Sequence, residues 1–367
     1  MNDKIWTIGR ILKWTEQYFK DKGIESPRLD AEVLLAHVLE KQRIYLYVHF
    51  DEPLQSAELA AYREMIKQRV LRVPVAQILG EKEFMGLTFK VTADTLVPRP
   101  DTEILVQAAV ERLKAMKGEK SATGVLADES AAEEPAEGQP VGGADAEQEV
   151  AEPLHIADIG TGSGAICLSV LRYLAGTVAD TVDISPEARA VAEENAASLG
   201  LADRVTFHTG DLLQPLRGMT FAAILSNPPY HEEDLLPPLT SRAAARHTAG
   251  GGLTFEALLH AVSRLLALPA SPDFAEGTVA PRFCVILPAA AAERFTTLAA
   301  VHGLWAVRRT EVVTRLGKQP KRVLLQFSPL KATCQTETLE LLRADGKRSV
   351  AYDRLCRDFY LHPDNEI

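Results

Sequence analysis

Asp158-Ile159-Gly160-Thr161-Gly162-Ser163-Gly164 is the stretch from which the fold can be read. It stands between an apolar run, Leu154 to Ile159, that reads as a strand and a segment, Ala165 to Leu174, that reads as a helix. Glycines at this junction let the chain turn tightly and let a ligand approach backbone N–H groups with no Cβ in the way. Downstream the pattern repeats, with strand Thr177 to Ile184, helix Pro186 to Leu199, and strands Val205 to His208 and Phe221 to Ser226. Further strands are expected at Phe283 to Leu287 and Arg322 to Phe327, with a helix between them. This alternation predicts an α/β fold with a doubly wound parallel sheet.

Upstream the period changes. Residues 5 to 72 carry apolar positions at three- and four-residue steps, as in a small all-helical domain. Ser26-Pro27 reads as an N-cap with proline in the first turn, ahead of the Leu29, Val33, Leu34, Val38 stripe, and Ser56 precedes a second stripe, Leu59, Tyr62, Ile66, Val70. Short β-prone runs around Gly80 and Gly86 suggest a hairpin within Gln77 to Val91, and Asp101-Thr102-Glu103 opens a helix towards Met116. Lys117 to Pro153 is rich in Ala, Glu, Gly and Pro and too poor in large apolar residues to offset its ordering entropy. The expected plan is therefore a helical domain (1–75), a hairpin and connecting helix (76–116), a disordered acidic linker (117–153), a catalytic domain (154–330) and a C-terminal extension (331–367).

A chain of 367 residues can bury two cores without disulfides or a structural metal. Cys167, Cys284, Cys334 and Cys356 form no CxxC pair and have no histidine at ligand spacing, so reduced thiols and no metal are expected. No apolar run approaches the roughly 20 residues of a membrane span, and the first residues lack the apolar centre of a secretory signal. A cytoplasmic protein is the expectation. The formal net charge of -10 argues against a chain coated by DNA, although a local basic surface stays open.

The chemistry is concentrated at strand ends. Asp183 closes the strand after the glycine turn, where a carboxylate can accept both hydroxyls of a ribose; with the turn it indicates a nucleoside-bearing cofactor. The spacing is not GxGxxG and no Walker lysine follows, which disfavours NAD and ATP. The alternative role for Asp183 is to cap the helix at Ser185-Pro186. Gly210-Asp211-Leu212 follows the third strand and could hold an adenine, Asp211 accepting from its amine and Leu212 covering a face. Asn227-Pro228-Pro229-Tyr230 is the most specific feature. Its prolines stiffen the loop, and the Asn227 oxygen with a nearby backbone carbonyl gives two acceptors for a planar NH2. An amide nitrogen is a poor nucleophile because its lone pair is delocalised. Accepting both N–H bonds leaves that lone pair directed at a methyl donor and stabilises the positive charge developing on nitrogen. Tyr230 would stack on the planar group.

DIGTGSG, VDIS and NPPY in this order resemble the class I N-methyltransferases, whose fold is a Rossmann-like doubly wound sheet. From residue 5 to about 215, including LVPRPDTEIL (Leu96 to Leu105) and AVAEENAASLGL, the chain is similar to the HemK/PrmC family. That resemblance implies an S-adenosyl-L-methionine-dependent enzyme that methylates the GGQ glutamine N5 of peptide chain release factors, docked by its helical domain. Carried over, Asp158, Gly160, Thr161, Gly162, Ser163, Gly164, Asp183, Asp211, Leu212 and Asn227 contact the cofactor. Asn227, Pro228 and Tyr230 are catalytic, and Asn227, Pro228, Pro229 and Tyr230 hold the substrate; Arg99 and Glu103 are expected to brace the substrate pocket from the domain junction, with a plain interdomain salt bridge as the alternative. The C-terminal part departs from this pattern: SRAAARHT (Ser241 to Thr248), VILP, KRVLLQFS and DFYL resemble tRNA valine adenine-N6 methyltransferases. Arg308, Arg309, Arg315, Lys318, Lys321 and Arg322, with Arg242 and Arg246, are the residues that could meet tRNA phosphates. A non-catalytic cofactor-binding module is the third reading.

Overall fold

The computed structural model describes residues 5–118, 152–210, 215–228, 253–266 and 280–356. The chain divides into two compact units, Met1–Lys82 and Glu83–Ile367. The expected linker at 117–153 lies almost wholly outside the described residues.

The first unit is helical: α1 (Ile8–Asp21), α2 (Pro27–Val38), α3 (Arg43–Val48), α4 (Ser56–Val70) and α5 (Val75–Leu79). Its core is drawn from the stripes read in the sequence, with Ile8, Leu12, Phe19, Leu34, Leu35, Tyr62 and Ile66 all buried. The buried Tyr62 hydroxyl donates to the Ala31 carbonyl at 2.9 Å, so its polar end is satisfied inside that core. The start signals differ in detail from the expected ones. Ser26 precedes α2, but its side chain makes no capping bond. At α4 the cap is Gln55, whose N–H is accepted by the Glu58 carboxylate at 2.7 Å, and Ser56 is already helical.

The second unit begins within a hairpin, β1 (Glu81–Phe84) and β2 (Leu87–Lys90). Its turn residues Met85 and Gly86 both have positive φ (52° and 67°), the backbone twist that two-residue hairpins require. There follow α6 (Pro100–Met116), β3 (Leu154–Ile159), α7 (Ala165–Tyr173), β4 (Thr177–Asp183), α8 (Pro186–Ser198), β5 (Val205–Thr209) and β6 (Ala223–Ser226). Beyond these come α9 (Phe255–Leu265), β7 (Arg282–Pro288), α10 (Ala289–Val301), β8 (Trp305–Val313), β9 (Arg322–Ser328), β10 (Gln335–Glu340) and α11 (Val350–Cys356). The sheet order is β10-β8-β9-β7-β6-β3-β4-β5; β9 runs antiparallel to both neighbours, and the other pairings are parallel.

Helices cover both faces. On one, α6, α7 and α11 pack against Ile156, Ala179, Leu225 and Ile286; on the other, α9 and α10 pack against Ala157, Ile159, Ile224 and Val285. β8, β10, α9 and α11 have no counterpart among the elements expected from the sequence. β10 joins the common sheet, and Leu339, Tyr352, Leu355 and Cys356 belong to the same core as α6, so this part of the 331–367 extension is built into the second unit.

β3 pairs with β4 on one side and with β6 on the other. The chain leaves β3 in one direction and returns on its far side, so a crevice opens at the carboxyl ends of β3 and β6, the usual ligand position in doubly wound sheets.

Candidate active site

The glycine turn fills one side of that crevice. Gly160, Gly162 and Gly164 have φ of 81°, 56° and 79°, values that an L side chain rarely adopts. A Cβ at Gly160 or Gly162 would face open space, so the backbone there is bare on the ligand side. At Gly164 a Cβ would lie 2.9 Å from Leu168 Cδ1, and this third glycine serves helix packing. Asp183 holds the turn: one carboxylate oxygen accepts the Gly162 N–H at 2.8 Å and the other accepts the Ser185 N–H at 3.0 Å. The helix itself is capped by the Ser185 hydroxyl, which accepts the Ala188 N–H at 3.0 Å, so Asp183 braces the residue ahead of the helix and does not cap it. An ionised carboxylate offers about four lone-pair sites, so the same group retains capacity for ribose hydroxyls.

Behind the turn, Asp158 is fully buried and its Oδ2 accepts the Cys167 N–H at 3.2 Å. Burial pushes its carboxyl up to about 7, against the pull of the Cys167 N–H and helped by the charge of Asp183. Asp158 Oδ1 and Thr161 Oγ1 are buried with no hydrogen-bond partner among the described residues. Each such atom costs about 1–3 kcal/mol if left unmet, so the turn fits a ligand that brings N–H or O–H donors.

The other side of the crevice is the end of β6. The Ser226 hydroxyl donates to the Ile159 carbonyl at 2.8 Å, tying the last residue of β6 to the last residue of β3. Asn227 follows, half-buried, and its Nδ2 donates to Thr102 Oγ1 on α6 at 3.1 Å; Pro228 is buried. A third anchor is Asn195 on α8. It accepts the Lys90 N–H at 2.7 Å and donates to the Lys90 and Ser163 carbonyls at 3.0 and 2.8 Å, joining the β1–β2 hairpin to the glycine turn. Neither Thr102, Ser226 nor Asn195 was a site residue from sequence, although Thr102 and Asn195 fall in the stretches that carried the resemblance.

The other expected residues are spread more widely. Arg99 is exposed and forms the N-cap position of α6, its carbonyl accepting from Thr102. Glu103, expected to brace the substrate pocket, is buried and accepts from the Tyr352 hydroxyl at 3.2 Å, an internal contact. Asp211, Leu212, Pro229 and Tyr230 lie outside the described residues, as do Arg242 and Arg246. Of the cations considered for phosphates, Arg308 pairs with Glu337, Arg309 with Glu293 and Glu311, and Arg322 with Asp101. Half of the six described cations are thus engaged within the protein, and no finding supports a tRNA partner.

All four cysteines are free, and among the described residues no group of three His, Cys, Asp or Glu could hold a metal. Among the described residues no helix is long and apolar enough to cross a membrane.

Two family descriptions match the chain, the PrmC N-terminal domain over residues 10–80 and the methyltransferase small domain over residues 147–255. A release factor glutamine methyltransferase of Rhodopirellula baltica is 39% identical over 240 residues, covering 64% of this chain and 71% of the relative. A relative of the same name from Geobacter sulfurreducens is 35% identical over 277 residues, covering 74% and 81%. A third, from Moorella thermoacetica, is 39% identical over 232 residues, covering 63% and 70%.

Proposed function

The chain belongs to the release factor glutamine methyltransferase family, and from that premise we propose that it moves a methyl group from S-adenosylmethionine to the side-chain amide of a release factor glutamine, the GGQ glutamine N5. The observation that carries this is the placement of Asn227 beside the glycine turn, with Ser226 bonded to Ile159 across the two strand ends.

S-adenosylmethionine, when bound, supplies an electrophilic sulfonium methyl. Gly160 to Gly164 would hold it through backbone, Asp183 through the ribose, and Asp158 and Thr161 through the buried acceptors described above. Asp211 and Leu212 are assigned the adenine. Asn227 Oδ1 and the Pro228 carbonyl would accept the two N–H bonds of the glutamine amide, with Pro229 and Tyr230 bounding the planar group. Acceptors fixed in the protein take up the positive charge that grows on nitrogen without reorganising, which is where such a site gains most over water. Holding the amide in one orientation supplies much of the remainder. The proton lost from nitrogen can pass to water, so no histidine is required. A cytoplasmic enzyme acting on the translation machinery is consistent with this reading.

The test is methyl transfer from tritiated S-adenosylmethionine to a purified release factor and to the same factor with its GGQ glutamine replaced. Label in the first and not in the second is expected. Label in neither, under conditions where a known family member succeeds, overturns the proposal.

A further inference from the structure

Asn227 can do this work only with its oxygen, not its nitrogen, turned to the substrate. The torsion that exchanges the two ends of an asparagine amide is soft and nearly two-fold. In the wrong orientation an NH2 group would face an NH2 group, with both donors unsatisfied. With Oδ1 turned to the substrate, Nδ2 needs an acceptor of its own, and Thr102 Oγ1 at 3.1 Å, 125 residues away in the chain, provides one.

We propose that Thr102 is a positioning residue for methyl transfer, holding the Asn227 amide in place by accepting from Nδ2 while Oδ1 meets the reacting nitrogen. The inference rests on the function proposed above and adds a residue that the strand-end motifs do not contain. Thr102 is itself buried and in the first turn of α6, and that turn is held on both sides. Asp101 pairs with Arg322 of β9 at 3.0 Å, and Glu103 accepts from Tyr352 of α11 at 3.2 Å. Three consecutive residues therefore reach three different places, β9, the residue just after β6, and α11. A hydroxyl fixed in this way is pre-organised, and the Asn227 amide it holds needs little further ordering when substrate arrives. The C-terminal strand and helix thereby contribute to the site without touching it.

The experiment compares Thr102→Val, which keeps the shape and removes the acceptor, with Thr102→Ser, which restores it, in the full-length chain. Against release factor and S-adenosylmethionine, Thr102→Val is expected to lower kcat about 10- to 50-fold, below the loss for removing a direct transition-state contact, with both KM values within about twofold. Thr102→Ser is expected to recover most of that loss. Should Thr102→Val fail to fold, Thr102→Ala, smaller and equally without an acceptor, makes the same comparison. The second readout is the pair of Asn227 side-chain amide proton resonances in the ligand-free protein, which are expected to move in Thr102→Val and to return in Thr102→Ser. Unchanged kcat and unchanged resonances in an active starting enzyme would overturn the inference alone. An unaltered chain that transfers no methyl would instead overturn the function, and the resonances would still report on the Thr102 contact.

Discussion

The two sides of the crevice are held by contacts of different range. At the end of β3 the turn is fixed by near neighbours, with Gly162 bonded to Asp183 and Gly160 bonded to Val182 on the adjacent strand. At the end of β6 Asn227 is bonded to Thr102, from a helix that precedes the whole sheet. The first side is a local device of glycines and one carboxylate, and binding is the role proposed for it. The second is assembled from distant parts of the chain, and positioning the substrate amide is the role proposed for it. Binding and turnover should therefore respond to different substitutions.

The sharpest separation is expected at Asn227. Asn227→Ala should lower kcat by about 10²–10³-fold, the range for losing one pre-organised transition-state contact, and leave cofactor affinity within about twofold by calorimetry. Asp183→Ala should do the reverse. Losing even one charge-assisted bond, worth about 1.5–3 kcal/mol, should lower cofactor affinity by at least roughly 10- to 100-fold. A matching fall in affinity at Asn227, or none at Asp183, would erase the division between the two sides.

A smaller effect is expected behind the turn. The Asp158 carboxyl lies at about 7 in the folded chain against 3.8 for the free group, so between those values the folded state holds its proton while the unfolded state has lost it. Bound protons thus favour folding, and Asp158 contributes stability to the ligand-free protein that is lost as pH rises from about 4 to about 7, against the opposite contributions of Glu16, Glu32 and Glu187, whose carboxyls are lowered. Melting temperatures across that range should therefore fall more, or rise less, in the unaltered protein than in Asp158→Asn. The same pH dependence in the variant would remove Asp158 as a contributor. The smallest effect is expected at Tyr352→Phe, which deletes one bond to Glu103 and should cost about 0.5–1.5 kcal/mol in denaturant unfolding, with kcat reduced less than about threefold.

The same difference in range explains what the sequence made legible. Leu154 to Gly164 declares strand, turn and helix within a few residues, and Asp183 follows one strand later; both are placed as read. The α6 helix and the hairpin at Gly86 were likewise visible, because proline and glycine punctuate them. β8 escaped because Arg308, Arg309 and Thr310 interrupt its apolar run, and in the fold their polar ends meet Glu337 of β10, Glu293 of α10 and Glu311. β10 reads as polar, QTETLE, for the same reason. Thr102 stood in the PRPDTE stretch from the start, yet nothing in local spacing connects it to a residue 125 positions away. Glu103 was assigned to the substrate pocket because its partner, Tyr352, lies in an extension whose helix was not foreseen.

Whether Thr102 acts on methyl transfer through Asn227 is tested most directly by a double-mutant cycle on single-turnover methyl transfer with Thr102→Val and Asn227→Ala. If Thr102 acts through Asn227, adding Thr102→Val to Asn227→Ala should slow transfer no further. Losses that multiply would mean that the two residues act independently, and the account would be contradicted.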